Sequence, residues 1–447
     1  MPKAWATLEH ELSPSILRVS TSGAKGKFRS ISEAVHYASE GDLVIVDRGI
    51  YSRRTSKERF PIFIPPKCQL VGRGPDLCRI DGNCAKEIFD RPLDSDQSLV
   101  LLADETSISG FTVSNSGANG ISNVQGARFL VTGNVLERNG QHGLLVFGTN
   151  GAQIYDNHFV DNGKVRRTET VPRSRVNTAI KGRQGHHIFI ESRSLCTNDV
   201  AIIGNEMQVC WADAIANDTL DQPDGITMRI QVVGNKIEGC RRNGLSISSS
   251  YSPSNTRVFV EIKDNDIRNT AVNAIDVLAA FSLVLREISG AKLHINISGN
   301  NIDGSDCGIN AICSYDPQGR GSYVTCNIIQ NNILNAKRYG IRAIGGLSYD
   351  GWAVENTRFN LTISENTIGT GKRESILVQG GNARKKAIVK DNQVFLHLSE
   401  NRAVDLVKPI DPKSIVINNG ITGNKVIVIQ GSQGHTRKGG IVKYDEP

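Results

Sequence analysis

Aromatic residues are scarce in this chain, at 6% of 447 residues, with only 3 Trp and 3 Met. A core built from rings or thioethers is excluded, so Ile, Val and Leu must do the burying. No apolar run reaches the ~18 residues of a membrane-spanning helix, and Met1 to His10 holds no leader-like apolar stretch. The expected setting is soluble and cytoplasmic, without membrane contact; a form trimmed of a leader would leave the same text. No Cys-x-x-Cys occurs among the 9 cysteines, which removes the usual zinc and dithiol motifs. Several, such as Cys313 in Asn310-Ala311-Ile312-Cys313, sit in apolar strand text, so reduced and buried thiols are expected. Charge is thin too: 52 basic against 45 acidic residues give +7 with no polybasic run. Basic grooves suit acidic sugars, phosphates or nucleic acid; the balance is too mild to choose among them and is compatible with an acidic saccharide or a small polar metabolite as partner. It offers no cluster or module for nucleic acid, and none is expected. Composition leaves the oligomeric state open.

Glycine is abundant, at 44 residues, and a pattern of Asn-x-aliphatic recurs along most of the chain. It stands at Asn134, Asn157, Asn205, Asn235, Asn265, Asn300, Asn331, Asn366, Asn392 and Asn424, usually after Gly or Asp. Most spacings lie between about 23 and 35 residues, the range of solenoid repeats. Each repeat reads as an aliphatic strand, an Asn corner, a short strand, a polar turn and a Gly-Ile strand. Stacking such units buries a continuous core that no single unit could bury alone. Asn tolerates the left-handed backbone of a tight corner, and stacked amides can bond one another. Hairpin turns of a β-sandwich would recur every ~8–12 residues instead. The expected fold is all-β: a right-handed parallel β-helix. Three segments are expected: a cap over 1–60, coils over 61–430 with an insert at 161–200, and a tail over 431–447.

Residues 28–51 carry the second signal. Ser30 can N-cap a short helix with Glu33 at capping-box spacing, Ile31, Ala34, Val35 and Ala38 form its apolar face, and Gly41 stops it. Leu43 to Val46 is then a buried strand. The text FRSISEAVHYASEGDLVIVDRGIY, followed by LVGRGPDLCRIDG and SISGFTVSN, resembles the N-terminal segment of the pectin-lyase-like superfamily of right-handed β-helix proteins. The likeness extends over the coils to about residue 430. It implies the fold and a carbohydrate-active setting, and leaves the reaction open, because this scaffold hosts lyases, hydrolases, epimerases and pure binders.

In that superfamily the Gly-Ile strand opens a coil and a long loop follows it, and such loops wall the substrate groove. Side chains alternate along the strand, so with the Ile series inward the next residue points out. The outward column then runs Phe189, Ala216, Ser246, Asp276, Asn310, Arg342, Leu377 and Asp405. Coils stack ~4.8 Å apart, which puts Asp276 and Arg342 within roughly 10 Å. The loops beyond carry Tyr315, Asp316, Arg320, Tyr349 and Trp352, and the basic insert carries Lys181, Arg183 and His187. A carboxylate, an amide and a guanidinium on a floor with aromatic walls suit a polar, acidic ring substrate. The expected catalytic set is Asp276, Arg342, Tyr315 and His187. Asn310, Asp316, Arg320, Ser246, Tyr349, Trp352, Lys181 and Arg183 are expected to bind.

Motifs that would name a reaction are mostly absent. Polygalacturonase-like hydrolases present an Asn-x-Asp strand, an Asp pair, a Gly-His-Gly and an Arg-x-Lys; this chain offers Gln141-His142-Gly143 and no adjacent Asp pair, which disfavours two-carboxylate hydrolysis. Tyr315-Asp316-Pro317-Gln318 shares only Asp-Pro with the epimerase motif Asp-Pro-His-Asp. Asp213, Asp218, Asp221 and Asp224 crowd one corner, where a hard cation such as calcium would find oxygen ligands. Turn residues explain the same crowding, and neither metal nor cofactor is expected. Three functions remain: a lyase or epimerase/isomerase acting by proton abstraction beside a carboxylate, a non-catalytic glycan- or protein-binding solenoid, and a cytoplasmic small-metabolite isomerase or cyclase.

Overall fold

The computed structural model describes residues 14–22, 28–83, 98–164, 185–193, 195–218, 225–248, 255–280, 288–314, 319–348, 353–369, 375–383, 388–390, 393–399, 401–403, 415–418, 425–431 and 436–437. Among them three long parallel sheets run the length of the solenoid, with 13, 14 and 12 strands. The first holds the Gly-Ile strands, the second the strands before the Asn corner, and the third the short strands after it. Every neighbouring pair is parallel and in register over the middle coils, as in Val258↔Leu293↔Val324↔Phe359. Alternation supplies the core. Val258, Ile262, Leu293, Ile297, Val324 and Ile328 point inward with 0–1% exposure, while Phe259, Glu261 and His294 between them point out.

The Asn ladder is continuous over nine rungs. Each Nδ2 donates to the next Oδ1, from Asn134 through Asn157, Asn205, Asn235, Asn265, Asn300, Asn331 and Asn366 to Asn401, at 2.9–3.2 Å. The last rung is Asn401, not Asn392. Asn392 and Asn424 lie outside the described residues. The left-handed backbone also falls one residue earlier than expected: Gly133, Gly204, Gly234 and Gly299 have φ of 62–68°, and Asp156, Asp264, Gln330 and Glu365 have φ of 53–57°. Glycine is favoured there because a Cβ in that region costs ~1–2 kcal/mol. Asn itself is required for its amide, which satisfies buried backbone groups of two coils.

At the N-terminal end Ser30 caps the helix Ile31–Tyr37, its Oγ accepting from the Glu33 N–H at 3.1 Å. The first free N–H groups, of Ile31 and Ser32, donate to the buried Glu58 carboxylate, both at 2.8 Å. The helix ends at Tyr37, short of Gly41. Strands Ile16–Val19 and Leu43–Val46 already start the second sheet within the segment read as a cap. Parts of the long loops form a further four-stranded parallel ladder, through Ile288–Ser289, Gly319–Arg320, Ala353–Glu355 and Ile388–Lys390.

All eight described cysteines are free thiols, and seven are buried; Cys196 is half-buried. Burial pushes Cys210, Cys307, Cys313 and Cys326 up to about 12, so they stay protonated and unreactive. Among these eight, a thiol reagent added to native protein should label Cys196 alone, with the other seven appearing only in denaturant. Rapid native labelling of several would contradict this packing.

Candidate functional site

The first sheet sets the outward column in register. Phe189 pairs with Ala216, then Ser246, Asp276, Asn310, Arg342 and Leu377 follow on successive coils. Beyond Leu377 the strand Ile415–Asn418 continues the sheet and puts Val416 in the column; Asp405 lies outside the described residues. The polar side chains in the middle are linked. Asn310 Nδ2 donates to Asp276 Oδ1 at 2.7 Å, and an Arg342 guanidinium N–H donates to Asn310 Oδ1 at 3.2 Å. Asn310 thus orients a carboxylate and a guanidinium two coils apart with one amide. Asp276 is 9% exposed, and its Oδ2 has no hydrogen-bond partner among the described residues.

Burial pushes the Asp276 carboxyl up to about 6; the Asn310 hydrogen bond opposes the shift, Asp213 adds to it, and Arg242 and Arg342 oppose it. Between about pH 4 and 6 the folded chain therefore holds a proton that the unfolded chain has released. Folding stability falls as pH rises through that window, and the full penalty persists above it. Asp276→Asn should accordingly raise the melting temperature at pH 7 and leave it unchanged near pH 3.5. Equal melting shifts at both pH values would remove the titration from the explanation.

A second outward column stands two residues before the inward Ile series, across the preceding turn. It carries His142, His186 and Asp213 on successive coils. Asp213 is 2% exposed; its Oδ1 accepts from the Asn243 N–H at 2.8 Å, and its Oδ2 lies 3.8 Å from His186 Nδ1 and 3.9 Å from the Arg242 guanidinium. Burial holds His186 below its ordinary value. The rings of His142, His186 and Phe189 stack at 4.8–5.4 Å. The face therefore carries two carboxylates, Asp213 and Asp276, with Arg242 and Arg342 as their neighbouring cations.

His187 does not belong to this face. It has no exposed surface, its Nδ1 accepts from Asn162 Nδ2 at 3.1 Å, and it packs on Phe159. Asn139 Nδ2 in turn donates to Asn162 Oδ1 at 3.0 Å. His187 thus ends a second internal amide ladder, and burial pushes it down to about 3, which keeps it neutral. Its assignment as a base fails because the chain turns inward one residue before Ile188. Arg320 is exposed on the four-stranded ladder, 4.0 Å from the Glu355 carboxylate, and stands off the floor. Ser246 is half-buried in the column. Tyr315, Asp316, Tyr349, Trp352, Lys181 and Arg183 lie outside the described residues, as do Asp221, Asp224 and the side chain of Asp218. Among the described residues no group of three acidic, His or Cys side chains could hold a metal. Asp213, Arg242 and His186 were the residues missed as site members: alternation counted back from the inward Ile188 and Ile215 would put His187 and Ala214 outward, and the turn reverses that order.

This architecture is that of a pectin-lyase-like right-handed parallel β-helix. Residues 19–246, about half the chain, match the family described as "Protein of unknown function (DUF1565)", and the chain belongs to that family. No curated protein matches it. Among solved structures it is similar to PfbA, a surface adhesin of Streptococcus pneumoniae, with 13% identity and a TM-score of 0.51 over 87% of this chain and 85% of that one. The Dettilon tailspike protein follows at 10% identity and a TM-score of 0.46, over 83% and 66%. The polygalacturonase of Erwinia carotovora ssp. carotovora aligns at 10% identity and a TM-score of 0.38, over 88% and 97%. At these identities the likeness is one of fold.

Proposed function

We propose that the outer face of the first sheet binds an acidic saccharide and abstracts a proton beside its carboxylate, as a lyase or an epimerase/isomerase does. The observation that carries this is the Asp276–Asn310–Arg342 chain. Arg342 would neutralise the uronate carboxylate and so acidify the adjacent C–H. Asp276, with its carboxyl near 6, is ionised at neutral pH yet basic enough to take the proton on Oδ2. The enolate then either expels the glycosidic oxygen, which takes a proton from water, giving an unsaturated sugar, or itself takes a proton from water on its other face, giving the epimer; Asp276 returns its proton to solvent. Arg242 would offset the charge of Asp213 and keep the floor from repelling an anion. The free thiols suit a reducing compartment.

A second reading, a non-catalytic glycan- or protein-binding solenoid, is favoured by one observation: Asp276 and Arg342 are already joined through Asn310. The two readings part on turnover. Polygalacturonate, alginate and their oligomers should be titrated and then assayed for an unsaturated or epimerised product. Arg342→Ala should weaken binding about tenfold or more, since a hydrogen bond to a charged group contributes ~1.5–3 kcal/mol. Arg268→Ala, on the third sheet, should not. Binding without product would leave the second reading; no uronate-dependent signal at all would end both for this ligand class.

A further inference from the structure

The second sheet has an outer face of its own, away from the column around Asp276. A cavity of about 1140 Å³ runs along it from Gln69 to Asn296. Its floor is one register column, crossing the coils as Gln69↔Ser107↔Leu130↔Gln153 and on through Ala201↔Gln231↔Glu261. Polar and apolar side chains are interleaved along it, at one per coil or ~4.8 Å. An extended hexose chain has a repeat close to that spacing and presents the same mixture of hydroxyls and C–H faces. Gln69 and Gln153 are exposed, and their side-chain amides make no hydrogen bond among the described residues. Each amide offers both donor and acceptor, which a sugar hydroxyl can use at once. At one end Phe259, 39% accessible, stacks on His294 at 5.2 Å with the Arg229 guanidinium 5.8 Å from its centroid, so that its outer edge is the part left to a sugar.

The charges on this face choose the class of sugar. Arg128 is held by Asp104 and Glu105 at 2.7 and 2.6 Å, and Arg229 by Asp199 at 3.2 Å. Glu261 accepts only from Gln231, at 3.4 Å, and has no cation partner. Among the groove's described lining residues no Arg or Lys lacks an acidic partner, and the remaining carboxylate repels an anion; Arg257 and Lys292, exposed on the same sheet, lie beyond that lining. We infer that the outer face of the second sheet is a separate binding site for a neutral, extended polysaccharide. The first-sheet face, with its two Arg side chains, would then act on acidic residues of a chain or mixture whose neutral stretches are held here.

Affinity electrophoresis of the full chain tests this, in gels cast with β-glucan, mannan, xylan or galactan and, separately, polygalacturonate or alginate. At least one neutral gel should retard the protein. The Gln153→Ala/Gln231→Ala variant should need at least fivefold more polysaccharide for the same retardation, at an unchanged melting temperature. Arg342→Ala and Asp276→Asn should be retarded like wild type in the neutral gel, so failure of the acidic-saccharide reading would not be mistaken for failure here. The inference is overturned if no neutral polysaccharide retards the protein, or if the double variant is retarded equally. A dimer in solution that the double variant disperses would also overturn it, by making the face a contact between two copies of this chain.

Discussion

Asp276→Asn should lower turnover of an acidic saccharide by ~10²–10⁴, the usual contribution of a positioned proton-transfer group. Asn keeps the shape and can still accept from Asn310 Nδ2, so the link to Arg342 need not break. What goes is the basic oxygen. The expected pattern is therefore a large fall in kcat with little change in affinity. The wild-type pH profile should rise through about 6, where the carboxyl ionises, and that limb should vanish from the variant's residual rate. A variant that loses affinity but keeps kcat would make Asp276 a binding group. One that keeps both would remove it from the chemistry.

Asn300→Leu should strongly destabilise the scaffold. Asn300 Oδ1 accepts from the backbone N–H and the Nδ2 of Asn265, at 3.0 and 2.9 Å. Its own Nδ2 reaches Ile262 O, Ser298 O and Asn331 Oδ1 at 2.9–3.1 Å. Leucine is similar in size and fits the interior, but it leaves these groups without partners in a place water does not reach. Each orphaned buried group costs ~1–3 kcal/mol, so a loss of about 3 kcal/mol or more is expected, read as a fall in the urea midpoint. Lys236→Gln, on the exposed side of the third sheet, should stay within ~0.5 kcal/mol. A midpoint shift as small for Asn300→Leu would mean the ladder contributes nothing net.

The fold was legible because its cause repeats. An amide is needed at every coil, inward aliphatics recur with period two, and both leave the same mark many times over. The errors came where a residue's surroundings, not its spacing, decide. Asn392-Gln393-Val394 reads like Asn366-Thr367-Ile368, yet it is Asn401 that stacks on Asn366. His187 reads as an insert residue at the site, but the turn sends His186 out and His187 in to meet Asn162. The outward set Ser246, Asp276, Asn310 and Arg342 followed from alternation alone. Its partners Asp213 and Arg242 did not, because strand alternation stops at a turn and the chain there brings distant positions alongside.

The most direct measurement is a crystal structure of the protein soaked with uronic-acid oligomers. A saccharide should lie along the first sheet, with a carboxylate on Arg342 and a ring carbon facing Asp276 Oδ2. A saccharide bound on another face, with Asp276, Asn310 and Arg342 left in solvent, would contradict the proposed site.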